Sequence, residues 1–141
     1  QTPCLLGEAQ TGEKQLKMLL AVALGGAVGA SGRYLFAAQA LRLMGPGFPW
    51  GTLGVNILGS FAMGVLVEML ALRFSVSPEM RVFLVTGLLG GFTTFSAFSL
   101  DVSLMIQKGE LPLAALYVAG AVTGSILALF FGLWVSRMVF A

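Results

Sequence analysis

Three long stretches of this chain contain no charged side chain, and a fourth region is nearly as apolar. Leu43–Val67 has 25 uncharged residues, Val82–Leu100 has 19 and Leu111–Ser136 has 26. The fourth region precedes them in the chain: it runs from Met18 to about Leu41 and contains a single charged residue, Arg33. About 20 apolar residues in a helix cross the hydrocarbon core of a bilayer. Because the stretches are continuously apolar and lack a two-residue alternation, a transmembrane barrel is disfavoured. The sequence therefore predicts an all-α membrane protein with four transmembrane helices.

Short connections separate the four predicted spans and leave no room for a soluble domain. We place TM1 at 18–43, TM2 at 50–72, TM3 at 80–106 and TM4 at 112–138, within a membrane domain covering 18–141. Residues 1–17 are polar, start without Met and precede Met18, which resembles a natural start. We expect them to be a leader or an added remnant outside the functional domain.

Composition excludes several classes of function. Only 10% of the residues are charged and 57% are apolar, with a mean hydropathy of +0.94. The chain has no histidine and one cysteine, so a Cys/His metal cluster and a disulfide framework are both ruled out. The eight basic residues are scattered, which argues against nucleic-acid binding. No nucleophile and base form a recognisable pair, so an enzyme is the least favoured class.

The centre of TM3 carries a run of glycines and hydroxyl groups that is unusual for a membrane helix. The segment Thr86–Ser99 contains Gly90-Gly91, followed by the hydroxyl side chains of Thr93, Thr94, Ser96 and Ser99. Each glycine costs a helix about 1 kcal/mol relative to alanine. We predict that TM3 is broken near its middle, at the paired glycines. Irregular backbone at that depth is tolerated where protein buries it or where it lines a polar cavity, and such breaks often bind ions. A continuous, well-packed glycine helix remains the alternative.

Aromatic and polar residues near this segment have both a structural and a functional interpretation. Phe92, Phe95 and Phe98 could be packing residues, or their positively polarised ring edges could face an anion. Asn56, the only asparagine, could join two helices or donate its amide N–H groups to an anion. Arg33 could anchor TM1 at the interface or attract anions to an entrance.

Positive charges flank the spans with only a weak bias. One side holds Lys14, Lys17, Arg73, Arg81 and Arg137, and the other holds Arg42 and Lys108, with Arg33 as a third if it reaches that interface. The positive-inside rule needs a clearer difference to assign an orientation. The weak bias indicates either an unresolved orientation or a protein that is inserted both ways. Pairs of small residues four apart on each span favour close helix packing, and four short helices alone enclose a pore poorly, so we expect an oligomer.

Three motifs carry a family resemblance that covers Met18 to Phe140. They are Gly25-Gly26-x-x-Gly29-Ala30-x-x-Arg33-Tyr34 in TM1, Gly51-Thr52-Leu53-x-Val55-Asn56 in TM2, and Thr86-Gly87-x-x-Gly90-Gly91-x-Thr93-Thr94-Phe95-Ser96-x-Phe98-Ser99 in TM3. Together they resemble the Fluc/CrcB family of fluoride channels, and the TM3 string is the most specific. In TM4, Ala121 offers no donor, and Asp101 stands where the family pattern has Glu.

The resemblance implies a passive channel that exports cytoplasmic fluoride down its electrochemical gradient across the cell's inner (plasma) membrane. It implies an antiparallel, dual-topology homodimer with two fluoride pathways. A structural Na⁺ at the dimer centre would be bound by the backbone carbonyls aligned with Gly90 and Thr93, and Arg33 would lie in the vestibule. The residues implied to line each pathway are Thr52, Asn56, Thr94, Phe95, Ser96, Phe98, Tyr117 and Ser125.

Two other classes remain as alternatives. A proton-coupled small multidrug exporter also has four spans, but it needs a titratable carboxylate at membrane depth. TM1 has no acidic residue after Met18, and Glu68 and Asp101 fall near predicted helix ends. A membrane scaffold without transport activity would explain the small-residue pairs but not the combination of Asn56, Phe95 and Phe98.

Overall fold

The computed structural model describes the backbone of residues 2–141 and the side chains of residues 9–141. Gln1 and the side chains of residues 2–8, which belong to the predicted leader, lie outside the described residues. The described chain consists of helices joined by short turns. In chain order these are α1 (Thr2–Met44), α2 (Trp50–Leu72), α3 (Pro78–Val82), a π-helix (Phe83–Leu89), α4 (Gly90–Phe92), α5 (Phe95–Gln107) and α6 (Leu111–Phe140).

Four helical segments are long and apolar enough to cross a membrane. They are Ala9–Met44, Trp50–Leu72, Pro78–Gln107 and Leu111–Phe140. This confirms the prediction of an all-helical chain with four candidate spans. The 23 residues of α2 correspond to a helix about 35 Å long, enough for a hydrocarbon core of about 30 Å. The polar residues before Met18 continue helix α1 and do not form a separate element.

Local sequence signals explain where the helices end and begin. Gly45 and Gly109 have φ values of 78° and 77°, a conformation that other residues rarely adopt, and they terminate α1 and α5. The amide of Gly45 donates to the carbonyl of Leu41 at 3.0 Å. At the start of α3, Ser77 accepts a hydrogen bond from the Met80 amide at 3.2 Å, and Pro78 occupies the first turn.

Glycines allow the helix backbones to approach closely at two crossings. An alanine Cβ at Gly29 of α1 would meet the Leu88 carbonyl oxygen and lie 2.9 Å from the Phe92 amide nitrogen. Gly25, Gly87 and Gly91 belong to the same crossing. Gly64 of α2 and Gly132 of α6 form the second crossing, where each glycine faces the partner's backbone. In contrast, Gly120 of α6 has no atom within 4 Å of a built Cβ.

The third span changes its backbone conformation along its length. It begins as α3, continues as the π-helix Phe83–Leu89 and returns to α-helical geometry in α4. Gly90, Gly91 and Phe92 are helical. The two residues that follow, Thr93 (φ −81°, ψ 157°) and Thr94 (φ −153°, ψ 121°), have extended dihedral angles. We call Thr93 and Thr94 the extended pair. The sequence predicts the break at the paired glycines, whereas the extended pair lies beyond them, after Phe92.

Polar contacts join the C-terminal ends of α2 and α6. Arg137 Nε lies 2.6 Å from Glu68 Oε1, and Arg73 Nε donates to the Phe140 carbonyl at 2.8 Å. The buried Ser136 hydroxyl donates to the Val65 carbonyl at 3.2 Å. Glu68, placed near a helix end from the sequence, is therefore held in an ion pair between these two helices.

Candidate functional site

The extended pair is bound by a side chain from the neighbouring helix α2. The Thr94 amide donates to Asn56 Oδ1 at 2.7 Å, and Asn56 Nδ2 donates to the Thr94 carbonyl at 2.9 Å. Both functional atoms of the asparagine side chain are thus used on the backbone of one residue. Asn56 therefore lies beside the change in backbone conformation, 38 positions away from Thr94 in the sequence.

The carbonyls of Gly90 and Thr93 lose their usual helical hydrogen-bond partners. In an α-helix the Gly90 carbonyl would accept from the Thr94 amide, and the Thr93 carbonyl from the Ala97 amide. Here the Thr94 amide donates to Asn56 Oδ1, and the Ala97 amide donates to Thr94 Oγ1 at 3.1 Å. Unwound carbonyls of this kind are oxygen donors suited to Na⁺. The chemistry of Gly90 and Thr93 therefore fits the ion that the resemblance implies at these two positions.

Arg33 reaches the same region from α1. Its Nε donates to the Gly91 carbonyl at 3.1 Å. That carbonyl would otherwise pair with the Phe95 amide four residues later, across the extended pair. Arg33 also lines a cavity of about 290 Å³ together with Tyr34, Thr52 and Thr94. Arg33 thus contacts the third span directly and is the one charged residue among the described residues that line this cavity.

The largest set of predicted pathway residues lines one cavity of about 310 Å³. Side chains from α2, α5, α6 and the extended pair contribute to it. The predicted residues Asn56, Thr94, Phe95, Phe98 and Ser125 all line this cavity, together with Ser60, Thr93, Ala121, Val122 and Ile126. Its walls thus combine neutral hydrogen-bonding groups with aromatic rings, and every residue named as lining it is uncharged.

The two phenylalanines of this cavity have different environments. Phe95 is 76% exposed, whereas Phe98 is 8% exposed and belongs to the buried core between α5 and α6. Their ring centroids are 5.5 Å apart, and the Phe98 centroid lies 5.1 Å from that of Tyr117. Phe95 can therefore present an edge to a ligand, and Phe98 is held in place by packing.

Tyr117 and Thr52 lie at a second polar position, towards the turn between α1 and α2. Tyr117 is 1% exposed, and its hydroxyl donates to Asp101 Oδ2 at 3.1 Å. Asp101 and Thr52 line a cavity of about 200 Å³, and Thr52 also lines the Arg33 cavity. Sequence reasoning assigned no role to Asp101, because it falls near the predicted end of a span. Asp101 lies one helical turn after Phe98, and this spacing indicates that the two side chains share a face of the helix.

The remaining hydroxyls are only partly available as ligands. Ser96 is exposed, and its Oγ lies 3.4 Å from Thr94 Oγ1. It does not line the 310 Å³ cavity. The Thr93 hydroxyl donates to the Leu89 carbonyl and the Ser99 hydroxyl to the Phe95 carbonyl, each at 3.0 Å. Such bonds to the preceding turn are usual for Thr and Ser in membrane helices.

Tyr117→Phe is expected to lower the free energy of unfolding by about 1–2 kcal/mol, because it removes the donor to the Asp101 carboxylate inside the protein. Denaturant titration of the purified protein in micelles measures the change. The chain has one other tyrosine, Tyr34, which is 74% exposed, so Tyr34→Phe is the matched control with an expected change near zero. Equal stability of the two variants would contradict a stabilising Tyr117–Asp101 bond.

Comparison with known proteins assigns the family. Residues 20–133 match the family described as CrcB-like protein, Camphor Resistance (CrcB). The chain is 58% identical to a protein of Chelativorans sp. (strain BNC1) over 86% of this chain and 97% of that protein. It is 55% identical to a protein of Agrobacterium fabrum (84% and 95%) and 53% identical to one of Rhizobium etli (82% and 93%). All three are named fluoride-specific ion channel FluC. On this match, the chain belongs to the CrcB family.

Proposed function

We propose that the protein is a passive, fluoride-selective channel. The observation that carries the proposal is the uncharged cavity in which Asn56, Phe95 and Phe98 meet hydroxyl side chains. Fluoride is small and strongly hydrated, so a pathway must replace its water with donors. Ring edges, hydroxyls and an amide offer many weak attractions, which favour entry of the ion without preventing its release. The relatives named as fluoride-specific channels support the same ligand.

Export follows from the acid–base chemistry of the ion. Hydrogen fluoride is a weak acid that crosses membranes in its neutral form and ionises in the cytoplasm, where fluoride is trapped. A selective channel in the cell's inner (plasma) membrane lets the anion leave down its electrochemical gradient. This role needs a path and no energy source, in keeping with a channel family and not an enzyme. Arg33, beside Thr52 and Thr94, would raise the anion concentration at the vestibule.

The proposed assembly is an antiparallel homodimer with two pathways. The exposed ring of Phe95 and the hydroxyl of Ser96 lie on the outer surface of the single subunit. Any polar group of the cavity that faced lipid would be poorly satisfied, and a second subunit would cover this surface. The weak bias of the positive flanking charges is in keeping with subunits that are inserted in both orientations.

A structural Na⁺ is proposed between the two subunits, held by the carbonyls of Gly90 and Thr93. The cation would supply positive charge to oxygens that the helix no longer pairs. Among residues 9–141, no group of three or more His, Cys, Asp or Glu side chains offers another metal site. The backbone oxygens are therefore the donors on which this proposal depends.

Fluoride efflux from liposomes tests the proposed function. Liposomes that contain the purified protein and are loaded with potassium fluoride should release fluoride when valinomycin balances the charge, and they should retain chloride under the same conditions. Protein-free liposomes are the control. Equal release of both anions would contradict selectivity. Transport of a cationic drug that requires a proton gradient, without fluoride release, would favour the small multidrug exporter instead.

A further inference from the structure

We propose that Asn56 and Arg33 are positioning residues that hold the extended pair in place and so keep the carbonyls of Gly90 and Thr93 available. The expected consequence for ion binding rests on the proposed function, whereas the hydrogen bonds themselves do not. The sequence offered Asn56 as a donor to an anion and Arg33 as a source of positive potential. The structure adds that both side chains bind the backbone of the third span.

The side chain of Asn56 acts as a substitute for a neighbouring peptide group. An extended residue presents its N–H and C=O towards the same side, as in the hydrogen-bonded pairs of an antiparallel sheet. A helical residue points the two groups in opposite directions along the axis. The two bonds of 2.7 Å and 2.9 Å to Thr94 can therefore form together only when Thr94 is extended. Asn56 thereby selects the extended conformation over a continuous helix.

Arg33 acts on the other side of the extended pair. Ending α4 at Phe92 leaves the Gly91 carbonyl without the amide of Phe95, and an unpaired backbone carbonyl is costly within a membrane. Arg33 Nε donates a hydrogen bond to this carbonyl oxygen at 3.1 Å. The two side chains thus bind three backbone groups at this point of the third span: the amide and carbonyl of Thr94 and the carbonyl of Gly91. The carbonyls of Gly90 and Thr93 are left for a different ligand.

The same geometry limits what Asn56 can offer to an anion. An asparagine side chain has one carbonyl oxygen and two N–H donors. The oxygen and one N–H are engaged with Thr94. Exchanging the nitrogen and oxygen positions would place two donors opposite each other at the Thr94 amide, so the bonding fixes the orientation of the amide. One N–H is left to face the 310 Å³ cavity, and we expect fluoride to contact that proton alone.

Nuclear magnetic resonance in lipid nanodiscs can observe these bonds individually. Because the chain has one asparagine, side-chain ¹⁵N-Asn labelling yields a single NH₂ group with two proton signals. Titration with potassium fluoride should shift one of these protons and leave the other nearly unchanged. Equal shifts of both protons would overturn the assignment of one N–H to the Thr94 carbonyl.

Hydrogen exchange at Thr94 tests the positioning role separately. The chain has seven threonines, so ¹⁵N-Thr labelling resolves the Thr94 amide. Asn56→Leu has a similar volume and no polar atoms, and it should speed exchange at Thr94 at least about tenfold. The amide of Thr86, in the π-helix of the same span, is the internal reference. Asn56→Asp keeps an acceptor for the Thr94 amide and should retain slow exchange.

Ser60→Ala is the matched control, because Ser60 lies one turn after Asn56 on α2 and lines the same cavity. It should leave exchange at Thr94 unchanged. Should Asn56→Leu fail to assemble, the wild-type titration and Asn56→Asp still decide the question. Unchanged exchange in folded Asn56→Leu, or rapid exchange in folded Asn56→Asp, would overturn the proposal. Neither result depends on fluoride flux, so the proposed function can fail or hold independently.

Arg33 is tested by the carbonyl that it contacts. Labelling with ¹³C-carbonyl glycine and ¹⁵N-phenylalanine selects two Gly–Phe bonds, Gly47–Phe48 and Gly91–Phe92. Arg33→Gln should shift the Gly91 carbonyl signal and leave the Gly47 signal, which lies in the turn after α1, in place. An unchanged Gly91 signal in the folded variant would remove Arg33 from the positioning role.

Discussion

Phe95→Ile is expected to reduce fluoride flux about tenfold while leaving the protein folded and assembled. Phe95 is the exposed aromatic ring of the uncharged cavity. A lost attraction as large as a favourable contact between two aromatic rings, about 0.5–1.5 kcal/mol, would slow the flux by up to about tenfold, since 1.4 kcal/mol corresponds to a factor of ten in rate. Isoleucine keeps an apolar side chain at this position but has no positively polarised edge. The measurement is initial fluoride efflux from liposomes at equal protein density.

Phe130→Ile provides the control for this change. Phe130 lies on α6, is 61% exposed and does not line the cavities that contain the predicted pathway residues. The same substitution there should leave the flux within about twofold of wild type. Size-exclusion chromatography of both variants checks that assembly is retained. Normal efflux by a well-assembled Phe95→Ile variant would remove Phe95 from the proposed pathway.

Gly64→Ala is expected to cause a large loss of stability for a single added methyl group. A Cβ at Gly64 would meet the Leu129 carbonyl oxygen and lie 3.0 Å from the Leu133 amide nitrogen. These atoms belong to the backbone of α6 and cannot rotate away, so the two helices must separate. Overpacking typically costs about 1–3 kcal/mol, and we expect a value near the upper limit. Denaturant titration in micelles measures the loss.

Gly120→Ala is the matched control, because it adds the same methyl group to α6 where a built Cβ has no atom within 4 Å. It should be neutral or slightly stabilising, since alanine favours helix more than glycine does. Similar losses in the two variants would show that glycine content, and not the α2–α6 crossing, determines stability. Retained stability in Gly64→Ala would contradict the close approach of these helices.

The sequence predicted the composition of the candidate site better than its internal bonding. Asn56, Phe95, Phe98 and Ser125 do meet in one cavity. The motif that carried the resemblance identified them by residue type and spacing. It could not indicate that both amide atoms of Asn56 bind Thr94, because that pairing depends on how α2 lies against the third span. The bond between Asp101 and Tyr117 likewise depends on how α5 packs against α6, whereas the sequence places Asp101 only near the end of a span.

The sequence by itself determined that this chain forms four apolar helices. A bilayer requires about 20 consecutive apolar residues whose backbone groups pair within the segment, and this requirement is visible locally along the chain. Only the tertiary structure decided which backbone groups leave the helical pattern. Paired glycines weaken a helix wherever they occur, but Gly90 and Gly91 stay helical, and the extended residues are Thr93 and Thr94. The physical reason we propose is that two side chains from other helices bind this backbone: Asn56 binds the amide and carbonyl of Thr94, and Arg33 binds the Gly91 carbonyl.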